Sequence, residues 1–179
     1  AYAIDSKGKK AGISYASKKW REDVGVYYQA LIAHVLAQPY AGHMFAVKIS
    51  AGATFEWQTY GVTLSECADF GKDALKAFRE WLKEKYVTNE ALATAWGKKG
   101  VTFETASVPT YDERKAYTYE TLLDGKAQRN VIDFHSFASD MTSDSVIYLA
   151  KTVKEAIDNK WIVGTYTGYL THGLTYEAN

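Results

Sequence analysis

The stretch KISAGATFEWQTYG, residues 48–61, holds one carboxylate, Glu56, between Phe55 and Trp57 just past an apolar run. Aromatic flanks keep water from a carboxyl group and favour its neutral, proton-donating form. Such a group suits the acid that protonates a leaving oxygen when a glycosidic bond breaks, a reaction that needs a second carboxylate on the opposite side of the bond. A Glu at the edge of a buried strand also serves as a plain hydrogen-bond acceptor, so FEW alone leaves both roles open. The chain is 15% aromatic, with 14 Tyr and 5 Trp, and flat rings cover the apolar faces of sugars while Tyr hydroxyls meet sugar oxygens. Large cores use aromatic residues too. Trp57, Tyr60, Tyr166 and Tyr169 are the rings expected to line a sugar site around Glu56.

Other residues with chemically active side chains make weaker sets. Asp133, His135, Asp140 and Asp144 are metal-ligating types, but on a helix Asp133 and His135 point to different faces, and Asp140 and Asp144 are ordinary solvated i,i+4 neighbours. His34 borders an apolar helical stripe and is expected to pack or cap. His43 and His172 fall at opposite ends of strands. A lone Cys67 excludes an internal disulfide, and no Gly-rich phosphate loop, nucleophile elbow or paired-Cys motif occurs.

The elements that must position Glu56 follow from periodicity. From Ser17, a candidate N-cap, apolar residues recur at Trp20, Val24, Tyr27, Tyr28, Leu31, Ile32, Val35 and Leu36, one face of a helix that Pro39 stops near Gln38. HMFAVKIS follows, a short run between Gly42 and Gly52 that reads as a strand buried on both faces, as in a parallel sheet. DALKAFREWLKEKY places Leu75, Phe78 and Leu82 on one stripe with Lys76 and Glu80 paired on the wet side. NEALATAW is a shorter helix capped by Thr88 and ended by Gly97. Residues 98–129 have no clean period and read as an irregular excursion over one face. From about Val131 the longest helix carries Phe134, Ala138, Met141, Tyr148, Leu149, Thr152, Val153, Ala156 and Ile157 on one stripe, then delivers the chain to a second strand at Ile162 and Val163. Helix, buried strand, helical crossover and buried strand make an α/β pattern with parallel strands joined by a right-handed connection. Sites in such folds gather at the carboxyl ends of strands, where Glu56 and the 166–169 stretch lie.

The run FREWLKEKYVTNEALATAWG, residues 78–97, resembles the F-x-x-W-L-x-x-K-Y-G-x-x-x-x-L-N-x-x-W-G signature that follows the fourth barrel strand in family 42 β-galactosidases, members of the large retaining glycosidase clan of TIM barrels. GATFEW resembles the strand end where those enzymes hold their acid/base Glu, and YASKKWRED, ASVPTYDER, IDFHSFASD and GTYTGYL match in order and spacing. The resemblance covers the chain from about Tyr15 to Leu170. It implies an α/β fold built from parallel βα units of a TIM (β/α)8 barrel, incomplete in this chain, with Glu56 as the general acid/base and no cofactor. Three positions depart from the pattern: Phe55 stands where the clan commonly has Asn, Val87 replaces Gly, and Ala93 replaces Asn. The zinc-binding Cys cluster of some members is absent, which implies a divergent relative without a metal. The resemblance also implies that the nucleophilic Glu lies on a later strand, outside this chain; the late Glu177 reads as a solvated residue.

A chain of 179 residues, 47% apolar and 23% charged, most simply makes one α/β domain or one partial barrel over residues 1–179. Balanced totals of 21 basic and 21 acidic residues disfavour nucleic acid and anionic membranes as partners. The basic stretch KKAGISYASKKWR reads as a solvated face. No apolar run approaches the roughly 20 residues that span a bilayer, and the polar start AYAIDSKGKK lacks the apolar core of a signal peptide, so a soluble chain is expected, its compartment not readable. The expected partners are a carbohydrate substrate and another chain, or the rest of the barrel, covering the exposed sheet edges. The alternative is a non-catalytic saccharide-binding or scaffold module, and a doubly wound small-molecule domain is a third reading.

Overall fold

The computed structural model describes residues 2–52, 56–57, 67–116 and 122–166. Its first element is an antiparallel hairpin of β1 (Tyr2–Ile4) and β2 (Lys10–Ile13), which hydrophobic periodicity did not predict because the strands have 3 and 4 residues. The signal lay in the turn. Asp5 accepts from the backbone N–H of Lys7 at 2.9 Å and of Lys9 at 2.8 Å, and Gly8 takes the left-handed conformation with φ 78°; Asp opening a turn and Gly closing it is a turn signature. The hairpin is tied to the stretch beginning at Cys67 by Ser6 N–H to Cys67 O at 3.0 Å and Phe70 N–H to Ile4 O at 2.8 Å. Buried Asp69 accepts through Oδ1 from Ile4 N–H at 3.0 Å and Gly71 N–H at 2.7 Å. A Cβ at Gly71 would stand 2.8 Å from that oxygen, so a larger residue there would displace the Asp69 carboxylate.

Helix α1 (Lys18–Leu36) starts as expected, with the Ser17 hydroxyl accepting from Trp20 N–H at 3.3 Å. Tyr28 and Ile32 are buried while Tyr27, Leu31 and Leu36 are exposed, so the packed stripe is narrower than the apolar one. His34 is exposed rather than packed. Strand β3 (Ala46–Lys48) corrects a second expectation: Ala46 and Val47 are half-buried and Lys48 is exposed, with full burial reached only at Ile49. Among the described residues, helices pack on one face of this strand and a single strand lies beside it, which accounts for the open face.

Helix α2 (Lys72–Tyr86) buries Ala74, Phe78 and Leu82. Helix α3 (Asn89–Trp96) is capped by the Thr88 hydroxyl and ends at Gly97, as the sequence predicts. Within the stretch at 98–129 the chain is anchored more firmly than its irregular pattern suggests. Phe103, Ala106 and Val108 are buried, and the one-turn helix α4 (Tyr111–Lys115) opens with a reciprocal capping box between Thr110 and Glu113. Its Arg114 is buried, donating to Pro109 O at 3.0 Å and Ala68 O at 2.7 Å between the rings of Phe70 and Phe134. Helix α5 (Arg129–Ala156) has 28 residues and leads into β4 (Ile162–Gly164). The strands β3 and β4 pair in parallel, Ala46 with Ile162, Val47 with Val163 and Lys48 with Gly164. The first half of α5 packs Phe134 and Phe137 against Phe78, Leu82, Leu92 and Trp96; its second half packs Leu149 and Val153 against Tyr28, Ile32 and Ile49. No helix among the described residues is long and apolar enough to cross a membrane.

Asp133, weighed above as a metal-ligating type, is instead the polar centre of the α2, α3 and α5 packing. Its carboxylate is 0% exposed and accepts from Tyr86 Oη at 2.6 Å, Trp96 Nε1 at 2.8 Å and Lys85 Nζ at 2.9 Å, with Arg129 Nε 3.1 Å away. Removing it strands four donors. Asp133→Ala is expected to cost about 3–5 kcal/mol in chemical denaturation. Asp140→Ala, which loses only the exposed bond from Trp81 Nε1, is expected to cost about 1 kcal/mol or less.

Burial pushes the Glu113 carboxyl up, but hydrogen bonds from Thr110 N–H and Asn130 together with the charge of Lys98 outweigh it and hold the group below its ordinary 4.5. A depressed carboxyl stabilises the fold above the unfolded value and loses that contribution as pH falls through the folded one. Denaturation midpoints are therefore expected to fall as pH drops below 4.5, and Glu113→Gln to flatten that part of the profile.

Candidate active site

The carboxyl ends of β3 and β4 are joined beyond the strands themselves. Ile49 N–H donates to Gly164 O at 3.0 Å, extending the ladder by one rung. Thr165 Oγ1 then donates to Ile49 O at 2.8 Å and accepts from Trp57 Nε1 at 2.6 Å. Trp57 N–H closes the intervening loop on Ala51 O at 2.9 Å, and Ser50 N–H donates to the Tyr28 hydroxyl at 3.2 Å. Glu56, half-buried, thus stands one residue from a doubly anchored Trp beyond the carboxyl end of β3. Trp57 itself sits at φ 63°, a left-handed conformation that bulky side chains rarely adopt. Strain of that kind persists only where the surroundings over-determine it, as the two hydrogen bonds and the packing of the indole do here.

The ring of Trp57 is 5% exposed, 5.8 Å from Tyr15, which in turn meets Trp20 edge-on at 5.5 Å. Burial pushes the Tyr15 phenol up to about 12, so it stays neutral through the physiological range. The expectation that Trp57 offers a stacking surface to a sugar therefore gives way to a packing role: its ring face belongs to the core, because the main chain at Glu56 and Trp57 turns the indole inward. Tyr166 is 59% exposed at the mouth of the strand pair, and the ammonium of Lys48 lies 3.4 Å from its ring centroid. Tyr60, Tyr169, Glu177, His172 and Phe55 lie outside the described residues. Among the described residues no group of three or more His, Cys, Asp or Glu is placed to hold a metal ion. Asp133 and Asp140 are engaged by the donors named above.

Sequence reasoning missed Thr165 and Lys48. A threonine right after a short strand gives no signal by itself, since its two partners come from residues more than 100 positions earlier. Lys48 did leave one: a single charge inside the apolar run FAVKIS.

A parallel strand pair backed by helices defines an α/β protein, a class in which sites gather at the carboxyl ends of strands. The model of glycoside hydrolase family 42, described as beta-galactosidase, matches residues 3–178, and the chain belongs to that family. Comparison with curated proteins found no match. Among solved structures, the beta-galactosidase of the psychrophilic Marinomonas ef1 is similar with a TM-score of 0.66 and 20% identity, over 98% of this chain and 26% of that one. The polyextremophilic beta-galactosidase of the Antarctic haloarchaeon Halorubrum lacusprofundi gives 0.67 and 17%, over 99% and 25%. The beta-galactosidase of Bacillus circulans sp. alkalophilus gives 0.62 and 18%, over 92% and 23%. The chain thus shares its fold with about a quarter of the length of each.

Thr165→Val removes the acceptor of a buried indole N–H and is expected to cost about 1–3 kcal/mol in thermal or chemical denaturation. Trp57→Phe removes the donor along with the acceptor's need for it and is expected to cost less than Trp57→Ala, for which about 3–5 kcal/mol is expected.

Proposed function

We propose that this chain is a contiguous part of a retaining glycoside hydrolase of β-galactosidase type, built from parallel βα units of a TIM barrel, in which Glu56 is the general acid/base. The observation that carries this reading is the position of Glu56 at the carboxyl end of β3, beside the same end of β4, in a chain of family 42. The substrate is a carbohydrate, and the remainder of the barrel covers the open strand edges.

In the first half of the reaction Glu56 gives its proton to the glycosidic oxygen while a carboxylate nucleophile, supplied from outside this chain, attacks the anomeric carbon. The aglycone leaves and a glycosyl-enzyme ester forms. In the second half Glu56, now a carboxylate, takes a proton from the water that attacks the same carbon, and the ester opens. Retention requires the two carboxyl groups to stand about 5–5.5 Å apart. Trp57, fixed at both its main-chain N–H and its indole N–H, holds the adjacent Glu56 at one end of that span. The exposed ring of Tyr166 supports a role in sugar contact, and Tyr60 and Tyr169 are proposed as further contacts.

The full-length protein carrying Glu56→Gln is expected to keep its fold and its binding of galactosides while losing about 10²- to 10⁴-fold in turnover of an aryl β-galactoside with a poor leaving group. Turnover equal to the unmodified protein would refute the assignment. A saccharide-binding role without chemistry predicts sugar binding and no turnover in either protein.

A further inference from the structure

The strand pair carries a charge that the reaction above does not use. Val47 and Val163 pack into the core made by α1 and α5, with Ile49 fully buried in it. Side chains alternate across a strand, so Ala46, Lys48, Ile162 and Gly164 fall on the opposite face, where Ile162 is 66% exposed. Lys48 is level with Gly164 in the register, and Tyr166 is two residues further on, about 6–7 Å toward the carboxyl ends. An ammonium 3.4 Å from the Tyr166 ring centroid therefore means that the Lys48 side chain runs along the strand toward the end at which Glu56 stands. The ring face attracts the cation without neutralising it and leaves its N–H groups able to donate elsewhere. Among the described residues no carboxylate comes within ion-pair distance of Lys48, whose ammonium instead lies over the Tyr166 ring.

We infer that Lys48, held by Tyr166, is a subsite for an anionic group, a carboxylate or a sulfate, on the sugar that the site accepts. This rests on the glycosidase reading of the same strand ends and narrows its substrate class from neutral galactosides to acidic ones. A sugar hydroxyl takes one hydrogen bond from an ammonium. A carboxylate or sulfate takes a charge-assisted one, and a cation at the mouth also raises its local concentration.

The test compares three substrates in the full-length protein: an aryl β-galactoside, an aryl β-galacturonide and an aryl 6-sulfo-β-galactoside, each at low and high ionic strength. The unmodified protein is expected to favour one of the two anionic substrates, and which one it favours identifies the group. Lys48→Met is expected to lower the ratio of anionic to neutral kcat/KM by about 10- to 100-fold, mainly through KM, and Lys48→Arg to restore much of it. High salt should narrow the preference. A preference for the neutral galactoside in the unmodified protein overturns the proposal. So does an equal loss on all three substrates in Lys48→Met with its fold intact by circular dichroism, which would make Lys48 a partner of an enzyme carboxylate. If no glycoside is turned over, the glycosidase reading fails by itself. Calorimetric binding of galacturonate and of galactose 6-sulfate against galactose then decides the anion subsite, and equal or absent affinity for all three sinks it.

Discussion

One threonine hydroxyl links the parts on which the site depends. Thr165 Oγ1 gives its proton to the Ile49 carbonyl and receives the indole proton of Trp57, so one hydroxyl ties the ends of both strands to the residue next to Glu56. The indole can serve as the middle member because it is packed against Tyr15 rather than left in the cleft. The proposed catalytic role of Glu56 requires its distance from a second group to be fixed, and a side chain on a loop has that property when the loop is closed on rigid elements. Here the closure is made by Trp57 N–H on Ala51 O, in a backbone conformation that few residues other than glycine adopt readily.

Behind the strands, α5 couples two cores that would otherwise share little. Its first half carries the Asp133 carboxylate into the donors of α2 and α3, and its second half closes the aromatic cluster around Trp57. The buried carboxylate is tolerable because its oxygens are fully engaged, two of the donors being cations. Arg114 does the corresponding work near the start of α2, pinning an irregular stretch through two backbone carbonyls. These polar groups are hydrogen-bonded within the packing, and apolar burial supplies the bulk of the driving force.

The open faces have a simple origin. Strands of a parallel barrel are covered by helices outside and by other strands at both edges, and this chain spans about a quarter of the solved relatives' length. Exposed Ile162 and Lys48 lie on the face turned away from the helices, where a closed barrel places its lumen and, at the carboxyl ends, its site. Apolar residues there suit a lumen, while a lysine reaching the mouth suits a ligand.

Local pattern determined much of this protein. The Ser17 and Thr88 caps, the stripe of α2, the stop at Gly97 and the strand that leads to Glu56 all follow from interactions within a few residues, and so they could be read from the sequence. The family motif from Phe78 to Gly97 was legible for the same reason, being a helix, a cap and a short helix in series. Tertiary structure decided the rest. The N-terminal hairpin is too short to show a period and is held by Asp69, more than 60 residues away. Asp133 changed from a metal-ligating type to a structural acceptor because its donors come from α2, α3 and its own helix. Trp57 turned inward because Thr165 and Tyr15 meet it there, and Lys48 gained its direction from Tyr166. Each of these depends on partners brought together by folding, and no spacing along the chain encodes which of several polar or aromatic residues will arrive.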